Sequence, residues 1–296
     1  MTVQRETLRI FPPLASSSQS AEASVSRDSS DSQLLKDNKL NLLQSQSILQ
    51  DLVPVSVYYI KVATSNVSNA GTDADVYIII HGEAGISAPT LLDNPSRDDF
   101  ERGAVDDFRI DSKDVGAVTG LEVKFNNTKN RPSWAFDYID VKGSNDTDYA
   151  RFNFSDWLEA DRWIKFTLYD IKVATSDESN AGTNANVFIK IHGSEGVTTA
   201  LLLDDPSRGD FEEGAVDNFL RGAIDVGVVT GVEVKHDNTT DSANVDPSWA
   251  FVYIKVKRSN DSNYVDFNFS DWLEPDRWIK FTLLTFFREV LKMLEG

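Results

Sequence analysis

Residues 58–82 read YYIKVATSNVSNAGTDADVYIIIHG, and residues 169–193 read YDIKVATSDESNAGTNANVFIKIHG. About 44 of the 71 positions from 58 to 128 are identical at this offset of 111 residues. Self-similarity over such a length indicates a duplicated domain, because solenoid repeats are much shorter. After Thr128 the second copy gains four residues, and the copies end on FNFSDWLEADRWIKFTL from Phe152 and FNFSDWLEPDRWIKFTL from Phe267.

Each copy consists of short apolar runs separated by residues that favour turns, which is the pattern of β-strands joined by loops. The strands predicted in the first copy are Val57–Thr64, Val76–His81, Asp106–Ile110, Gly120–Phe125, Trp134–Val141 and Tyr149–Phe154. We therefore predict an all-β protein made of two tandem antiparallel β-sandwiches. The first copy runs into the second at Leu168–Tyr169 without a Gly/Ser/Pro linker, which predicts a nearly fixed orientation between them.

The predicted organisation has four parts: a disordered, low-complexity tail over 1–54, sandwiches over 55–167 and 168–284, and a C-terminal tail or short helix over 285–296. The tail includes a Ser-rich stretch over 15–32 with few large apolar side chains, which cannot build a core. We find no apolar run of the kind that a secretory signal or a membrane span requires. The expected location is cytoplasmic, with peripheral contact to membranes.

Charge and composition exclude several functional classes. The chain has 47 Asp and Glu residues against 29 Lys and Arg residues, a formal charge of -18, which disfavours nucleic acid as a partner. The same charge disfavours an anionic membrane unless a bound cation changes the local sign. Since cysteine is absent, we predict no disulfide and no thiolate nucleophile. With three histidines and no catalytic motif, we predict that the chain is not an enzyme.

Several motifs recur in order in both copies: Asn-Ala-Gly-Thr, Leu-Asp-x-Pro-Ser-Arg-x-Asp-Phe-Glu, Asp-Val-Gly and Pro-Ser-Trp. With these motifs each copy resembles the PLAT domain, also called the LH2 or lipoxygenase homology domain, and the resemblance covers residues 55–284. Abutting copies are similar to the lipoxygenase homology domain-containing proteins, which are built of such repeats. The resemblance implies a C2-like sandwich of eight strands that mediates attachment to membranes or proteins, often with Ca²⁺.

Calcium takes six to eight oxygen ligands, which loops supply from carboxylates, amides, hydroxyls and carbonyls. By resemblance, one ion would use Asn69, Gly71 and Asn126 or Asn127, and a second would use Thr72, Asp93, Asn94, Ser96 and Asp99. The equivalents in the second copy are Asn180, Gly182, Thr183, Asp204, Asp205, Ser207, Asp210, Asp237 and Asn238. Alternatively, these residues serve only as turn formers and caps.

The copies differ at two of these loops. Asn184 stands where the first copy has Asp73, and Asn126 stands where the second copy has Asp237. Because affinity for Ca²⁺ follows the number of charged ligands, fewer carboxylates predict weaker binding.

The predicted function is therefore that of a non-enzymatic tandem PLAT protein, modulated by Ca²⁺. Its expected partners are membrane lipids, or membrane or cytoskeletal proteins. The alternatives are a regulatory fragment of a larger lipase-like, lipoxygenase-like or repeat protein, and a Ca²⁺-dependent carbohydrate-binding sandwich.

The six tryptophans fall into two predicted groups. Trp134 and Trp249 lead into apolar strands and are expected in the cores. The other four, Trp157, Trp163, Trp272 and Trp278, are expected to pack against a sandwich edge.

Overall fold

The computed structural model describes residues 36, 38, 39, 54–126, 133–237 and 248–283 of the 296-residue chain. The predicted disordered tail over 1–54 lies outside these ranges except for Pro54 and three helical residues, Lys36, Asn38 and Lys39. The predicted C-terminal tail or helix over 285–296 lies outside them altogether. Within the described part of the chain, no helix has the length and apolar character that a membrane crossing needs.

The first sandwich begins at Val55 and is made of two antiparallel sheets. Its strands are β1 (Val55–Thr64), β2 (Val76–Gly82), β3 (Gly85–Ile86), β4 (Thr90–Leu92), β5 (Val105–Lys113), β6 (Val118–Phe125), β7 (Ser133–Gly143), β8 (Ala150–Asn153), β9 (Trp157–Glu159) and β10 (Ile164–Thr175). In one sheet β1 lies between β5 and β7, and β8 and β9 follow one another along β7. In the other, β6 lies between β2 and β10, and β3 and β4 pair with β2.

The second sandwich repeats this arrangement. Its strands are β11 (Val187–Gly193), β12 (Gly196–Val197), β13 (Leu201–Leu203), β14 (Val216–Ile224), β15 (Val229–His236), β16 (Trp249–Arg258), β17 (Val265–Asn268), β18 (Trp272–Leu273) and β19 (Ile279–Thr282). Here β10 lies between β14 and β16, and β15 lies between β11 and β19. The prediction of two tandem antiparallel β-sandwiches is confirmed.

Each sandwich has its own hydrophobic core, because its strands alternate between buried and exposed side chains. Trp134 and Trp249 lie at corresponding places in the two cores and are completely buried. Each indole Nε1 donates a hydrogen bond of 3.3 Å, to Thr64 Oγ1 in the first sandwich and to Thr175 Oγ1 in the second. The predicted core position of these two tryptophans is confirmed.

The four other tryptophans do not share one environment. Trp157 on β9 and Trp272 on β18 stand on edge strands, but their side chains are 41% and 36% exposed. Their place on edge strands agrees with the predicted edge position, although part of each ring is exposed, and the leucine that follows each one points inward. Trp163 and Trp278 are half-buried, with Lys124 and Lys190 ammonium groups 5.2 Å and 4.3 Å from the ring centroids.

The two sandwiches share strand β10. Residues 164–167 pair with β6 of the first sandwich, and residues 169–175 pair with β16 of the second. The last strand of one copy is thus continuous with the first strand of the next. The connection is covered by Ile224, which packs against both cores. The direct run from Leu168 to Tyr169 is therefore a turn-free stretch of β-strand, with no hinge in it.

Candidate metal site

Two loops meet at one end of the first sandwich: residues 65–75 between β1 and β2, and residues 93–104 between β4 and β5. The backbone N–H of Thr72 donates to the carbonyl oxygen of Phe100 at 3.2 Å. Gly71 makes this approach possible, because a Cβ there would lie 3.0 Å from Phe100 O and 3.1 Å from Arg102 N. The glycine of the Asn-Ala-Gly-Thr motif thus brings the two loops together.

The second loop turns sharply at Phe100, which has a φ of 61°. A bulky side chain rarely adopts this left-handed conformation. The backbone N–H of Phe100 donates to Asp106 Oδ2 at 2.8 Å, and the Phe100 ring packs 5.4 Å from Phe108 and 5.3 Å from Trp134. Burial raises the pKa of Asp106, while the Arg97 guanidinium, 3.1 Å away, acts in the opposite direction. These contacts fix the backbone conformation around Phe100 and therefore the positions of the acidic residues beside it in the chain.

Three carboxylates converge beside this turn. Oxygen atoms of Asp73, Asp98 and Glu101 all lie within 4.8 Å of one another, and all three side chains are exposed. We call these residues the acidic cluster. Two of them, Asp73 and Asp98, border a cavity of about 420 Å³, which Thr72 and Asp93 also line. Hard oxygen donors of this kind, grouped from two loops, fit the coordination preferences of Ca²⁺.

The ligands predicted for a second ion are only partly brought together. Thr72, Asp93 and Asp99 line the cavity. Asn94 Oδ1 instead accepts the backbone N–H of Ser96 at 3.3 Å and its hydroxyl at 2.7 Å. Asp99 accepts the backbone N–H of Asn94 at 2.6 Å and the Nε–H of Arg97 at 3.2 Å. Asn94, Ser96 and Asp99 therefore stabilise the turn itself, as the alternative interpretation expects.

The ligands predicted for a first ion include an asparagine that holds a neighbouring loop. Asn126 Oδ1 accepts the backbone N–H of Asp75 at 3.1 Å, and its Nδ2 donates to Asp75 Oδ2 at 2.7 Å. The second copy has the same link with acid and amide exchanged, because Asn186 bonds to Asp237 at 3.0 and 2.8 Å. This exchange accounts for the difference between Asn126 and Asp237 without any ion.

The remaining first-ion residues lie in the first loop or beyond the described ranges. Asn69 is exposed with a φ of 65°, and Gly71 is buried. Asn127 and its counterpart Asn238 lie outside the described residues.

The equivalent loops of the second sandwich form the same turn with fewer acids. Thr183, Asp204 and Asp210 line a cavity of about 130 Å³. Asp205 Oδ1 accepts the backbone N–H of Ser207 at 3.1 Å and its hydroxyl at 2.6 Å, contacts that lower the pKa of Asp205.

The first loop of the second sandwich also follows its counterpart. Gly182 lies against Phe211 O as Gly71 lies against Phe100 O, and the backbone N–H of Asn180 donates to Glu213. Asn184 and Gly209 replace Asp73 and Asp98, so the acidic cluster is not repeated.

The ligands predicted from the sequence do not include Asp98 and Glu101, two members of the acidic cluster, and Asp73 is predicted only as a loop residue. Asp98 and Asp99 are adjacent in the motif, and sequence alone does not show which one joins the acidic cluster. The signal that could have found Asp98 is its replacement by Gly209 in a copy whose other loop residues match closely.

Exposed apolar side chains lie at the same end of the sandwich. Trp157 pairs with Ala135 across β7 and β9, and the backbone N–H of Ala135 donates to Ala70 O at 3.1 Å. Two strand spacings, about 10 Å, therefore separate Trp157 from the first loop. Val67, in that loop, is 50% exposed. Acidic and apolar groups thus share one end of the first sandwich.

Comparisons with known proteins find the same domain twice in this chain. The family model of the PLAT/LH2 domain matches residues 58–165 and 169–286. Lipoxygenase homology domain-containing protein 1 of Homo sapiens is 34% identical over 243 residues, which cover 74% of this chain and 11% of that protein. The Mus musculus protein of the same name gives the same identity and coverage, so the chain spans 11% of the length of either relative. A crystal structure of coral 8R-lipoxygenase is similar with a TM-score of 0.35 and 26% identity, over 36% of this chain and 16% of that one.

Proposed function

The chain belongs to the PLAT/LH2 domain family, and from this premise we propose that it attaches to membrane surfaces through the Ca²⁺-bound loops of its first sandwich. In this role the two sandwiches form a binding unit without enzymatic activity of its own, located in the cytoplasm and in peripheral contact with membranes. A membrane or cytoskeletal protein that binds the same end is the second candidate partner.

The acidic cluster is the observation that carries this proposal. Carboxylates of Asp73, Asp98 and Glu101 within 4.8 Å repel one another, and a divalent cation among them relieves that repulsion. The chain has a formal charge of -18, which opposes contact with anionic lipids. Each bound Ca²⁺ changes the local charge by two and supplies a centre that lipid phosphate oxygens can also coordinate.

The residues that would hold the ion are the three members of the acidic cluster, with Thr72 and Asp93 on the wall of the cavity that Asp73 and Asp98 line. Arg97 contacts Asp99 and Asp106 on the inner side, so those two acids stabilise the loop and the outer acids face the cation. Trp157 and Val67, which are both exposed, supply the apolar contact with the membrane. The indole ring of Trp157 is suited to the headgroup region because it combines an apolar body with a polar N–H.

The proposal is tested by calorimetric titration with Ca²⁺ and by sedimentation with phosphatidylserine-containing vesicles, each with and without EDTA. We expect Ca²⁺ binding and Ca²⁺-dependent pelleting of the intact chain. The double variant Asp73→Asn, Asp98→Gly gives the first sandwich the residues of the second and should lose both. The control Asp148→Asn removes an exposed carboxylate from the β7–β8 loop, at the other end, and should keep both.

The outcomes separate the candidates. No Ca²⁺ binding by the intact chain overturns the calcium proposal. Binding of Ca²⁺ without pelleting overturns the membrane role and leaves attachment to a protein.

A further inference from the structure

The second sandwich carries an arginine where the first has a core residue. Arg221 on β14 occupies the position of Ile110 on β5, which is only 9% exposed and belongs to the first core. The Arg221 guanidinium reaches across to the opposing sheet, where its Nε donates to Leu202 O on β13 at 2.7 Å. Its Nη2 donates to the carbonyl oxygen of Asp204. Arg221 therefore connects β14 to the loop that corresponds to the candidate metal site.

The Arg221 guanidinium is surrounded by carboxylates and serves as their counter-ion. Asp204, Asp205 and Asp210 all act on its guanidinium and favour the charged form, while burial is the larger influence and lowers its pKa. An arginine stays protonated under these conditions because its ordinary pKa lies far above neutrality. A fixed positive charge is thus built into the acidic loop of the second sandwich.

The two loops balance their charges differently. Five carboxylates line the cavity of the first sandwich and two line that of the second, and each cavity has one lining arginine, Arg97 or Arg208. With Arg221 added, the second loop has two guanidinium groups, Arg208 and Arg221, beside the three acids Asp204, Asp205 and Asp210. The second cavity is also smaller, about 130 Å³ against about 420 Å³. A divalent cation would meet less uncompensated negative charge there than in the first sandwich, and it would be repelled by the nearby guanidinium.

We propose that the equivalent loops of the two sandwiches are held by different cations: a divalent metal ion in the first and Arg221 in the second. Only the first sandwich then responds to Ca²⁺, and the second keeps its loop in place at any Ca²⁺ concentration. The part concerning the first sandwich rests on the proposed function. The part concerning Arg221 rests on its own contacts and is tested without metal.

The test uses the full chain in EDTA and in Ca²⁺. In EDTA, Arg221→Met should lower the melting temperature by about 3 °C or more, because β14 loses its contact with the loop. The matched control is Arg109→Met, which removes an exposed arginine from the equivalent strand of the first sandwich and should change the melting temperature little. In the triple variant Asn184→Asp, Gly209→Asp, Arg221→Ile, calorimetry should detect one more bound Ca²⁺ than in the unmodified chain.

The results distinguish this inference from the proposed function. An unchanged melting temperature of Arg221→Met in EDTA overturns the role of Arg221. Ca²⁺ binding that persists in the Asp73→Asn, Asp98→Gly variant overturns either the assignment of the ion to the acidic cluster or the metal independence of the second sandwich. If the intact chain binds no Ca²⁺ but Arg221→Met is destabilised, the proposed function fails and the role of Arg221 stands. Should the triple variant not fold, the first two measurements still give the answer.

Discussion

The backbone N–H of Phe100 donates to the Asp106 carboxylate at 2.8 Å, and the second sandwich repeats this relationship between Phe211 and Asp217 at the same distance. Both phenylalanines have a left-handed backbone, with φ of 61° and 59°. A buried carboxylate thus stabilises an unfavourable turn in each copy, and in the first copy that turn positions the acidic cluster.

Asp106→Ala should lower the free energy of unfolding by about 2 kcal/mol, because a buried N–H loses its charged acceptor. Ca²⁺ affinity should fall at least tenfold as the loop relaxes. Asp217→Ala is the matched control, with a similar loss of stability and unchanged Ca²⁺ affinity. Urea denaturation and calorimetric titration measure the two effects, and full stability of Asp106→Ala would contradict the proposed role of this hydrogen bond.

Gly222→Asp introduces the residue that the first copy has at this position, Asp111. Gly222 pairs with Phe152 of the first sandwich, and a Cβ on it would come 2.2 Å from Arg151 O. Overpacking at this junction should cost about 2–3 kcal/mol and split thermal unfolding into two transitions. The reverse change, Asp111→Gly, lies at an exposed position and should leave a single transition in differential scanning calorimetry.

Tyr169→Phe should change how stability depends on alkaline pH. The Tyr169 hydroxyl donates to Ile224 O and accepts the backbone N–H of Val226, both at 3.0 Å, and burial raises its pKa. Because the unfolded phenol ionises near pH 10 and the folded one does not, this stability is fully present below pH 10 and falls as the pH rises further.

Tyr169→Phe should lower the free energy of unfolding by about 1–2 kcal/mol at neutral pH. Above pH 10 its free energy of unfolding should fall less steeply with pH than that of the unmodified chain. Tyr59→Phe, at a 38% exposed position, serves as the control in urea denaturation between pH 8 and 11. If the free energy of unfolding of Tyr169→Phe falls with pH above 10 as it does in the unmodified chain, the Tyr169 hydroxyl is not the source of this pH dependence.

Trp157→Ala should reduce Ca²⁺-dependent pelleting with vesicles severalfold and leave Ca²⁺ binding unchanged, because the side chain lies near the loops but outside the acidic cluster. Trp272→Ala removes the equivalent, 36% exposed ring beside loops that lack the cluster, and should pellet normally. Equal losses in both variants would mean that membrane contact is not confined to the first sandwich.

The pair of Asp75 and Asn126 can be exchanged to match the second copy. Asn126→Asp places two carboxylates together and should cost about 1 kcal/mol in stability. The double variant Asp75→Asn, Asn126→Asp recreates the pair of Asn186 and Asp237 and should restore the stability that the single variant loses. A double-mutant cycle measured by urea denaturation gives the coupling energy, and its absence would contradict a structural role for the link.

Much of the fold could be predicted from the sequence, because strand periodicity and turn residues are local properties. The predicted strand Val76–His81 matches β2 to within one residue, and the predicted strand Trp134–Val141 lies within β7. The predicted strands do not include β3, β4 and β9. These have only two or three residues each and gain their stability from pairing with a longer neighbour.

The acidic cluster could be predicted less well. The loops that carry it follow from the motifs, but Asp98 and Asp99 are chemically identical and adjacent. Which of them joins the acidic cluster depends on the left-handed turn at Phe100, and that turn depends on Asp106, six residues further along the chain.

The sequence by itself determined that this protein is a duplication of one β-sandwich, and that it carries a large excess of negative charge, part of it in loops shared by the two copies. Only the tertiary structure decided that β10 belongs to both sandwiches, that Arg221 reaches the loop of the second, and that three acids converge in the first. The physical reason is that periodicity and composition act between neighbours in the chain. The pairing of charges depends instead on distances between residues that only the packing of the two sheets brings together.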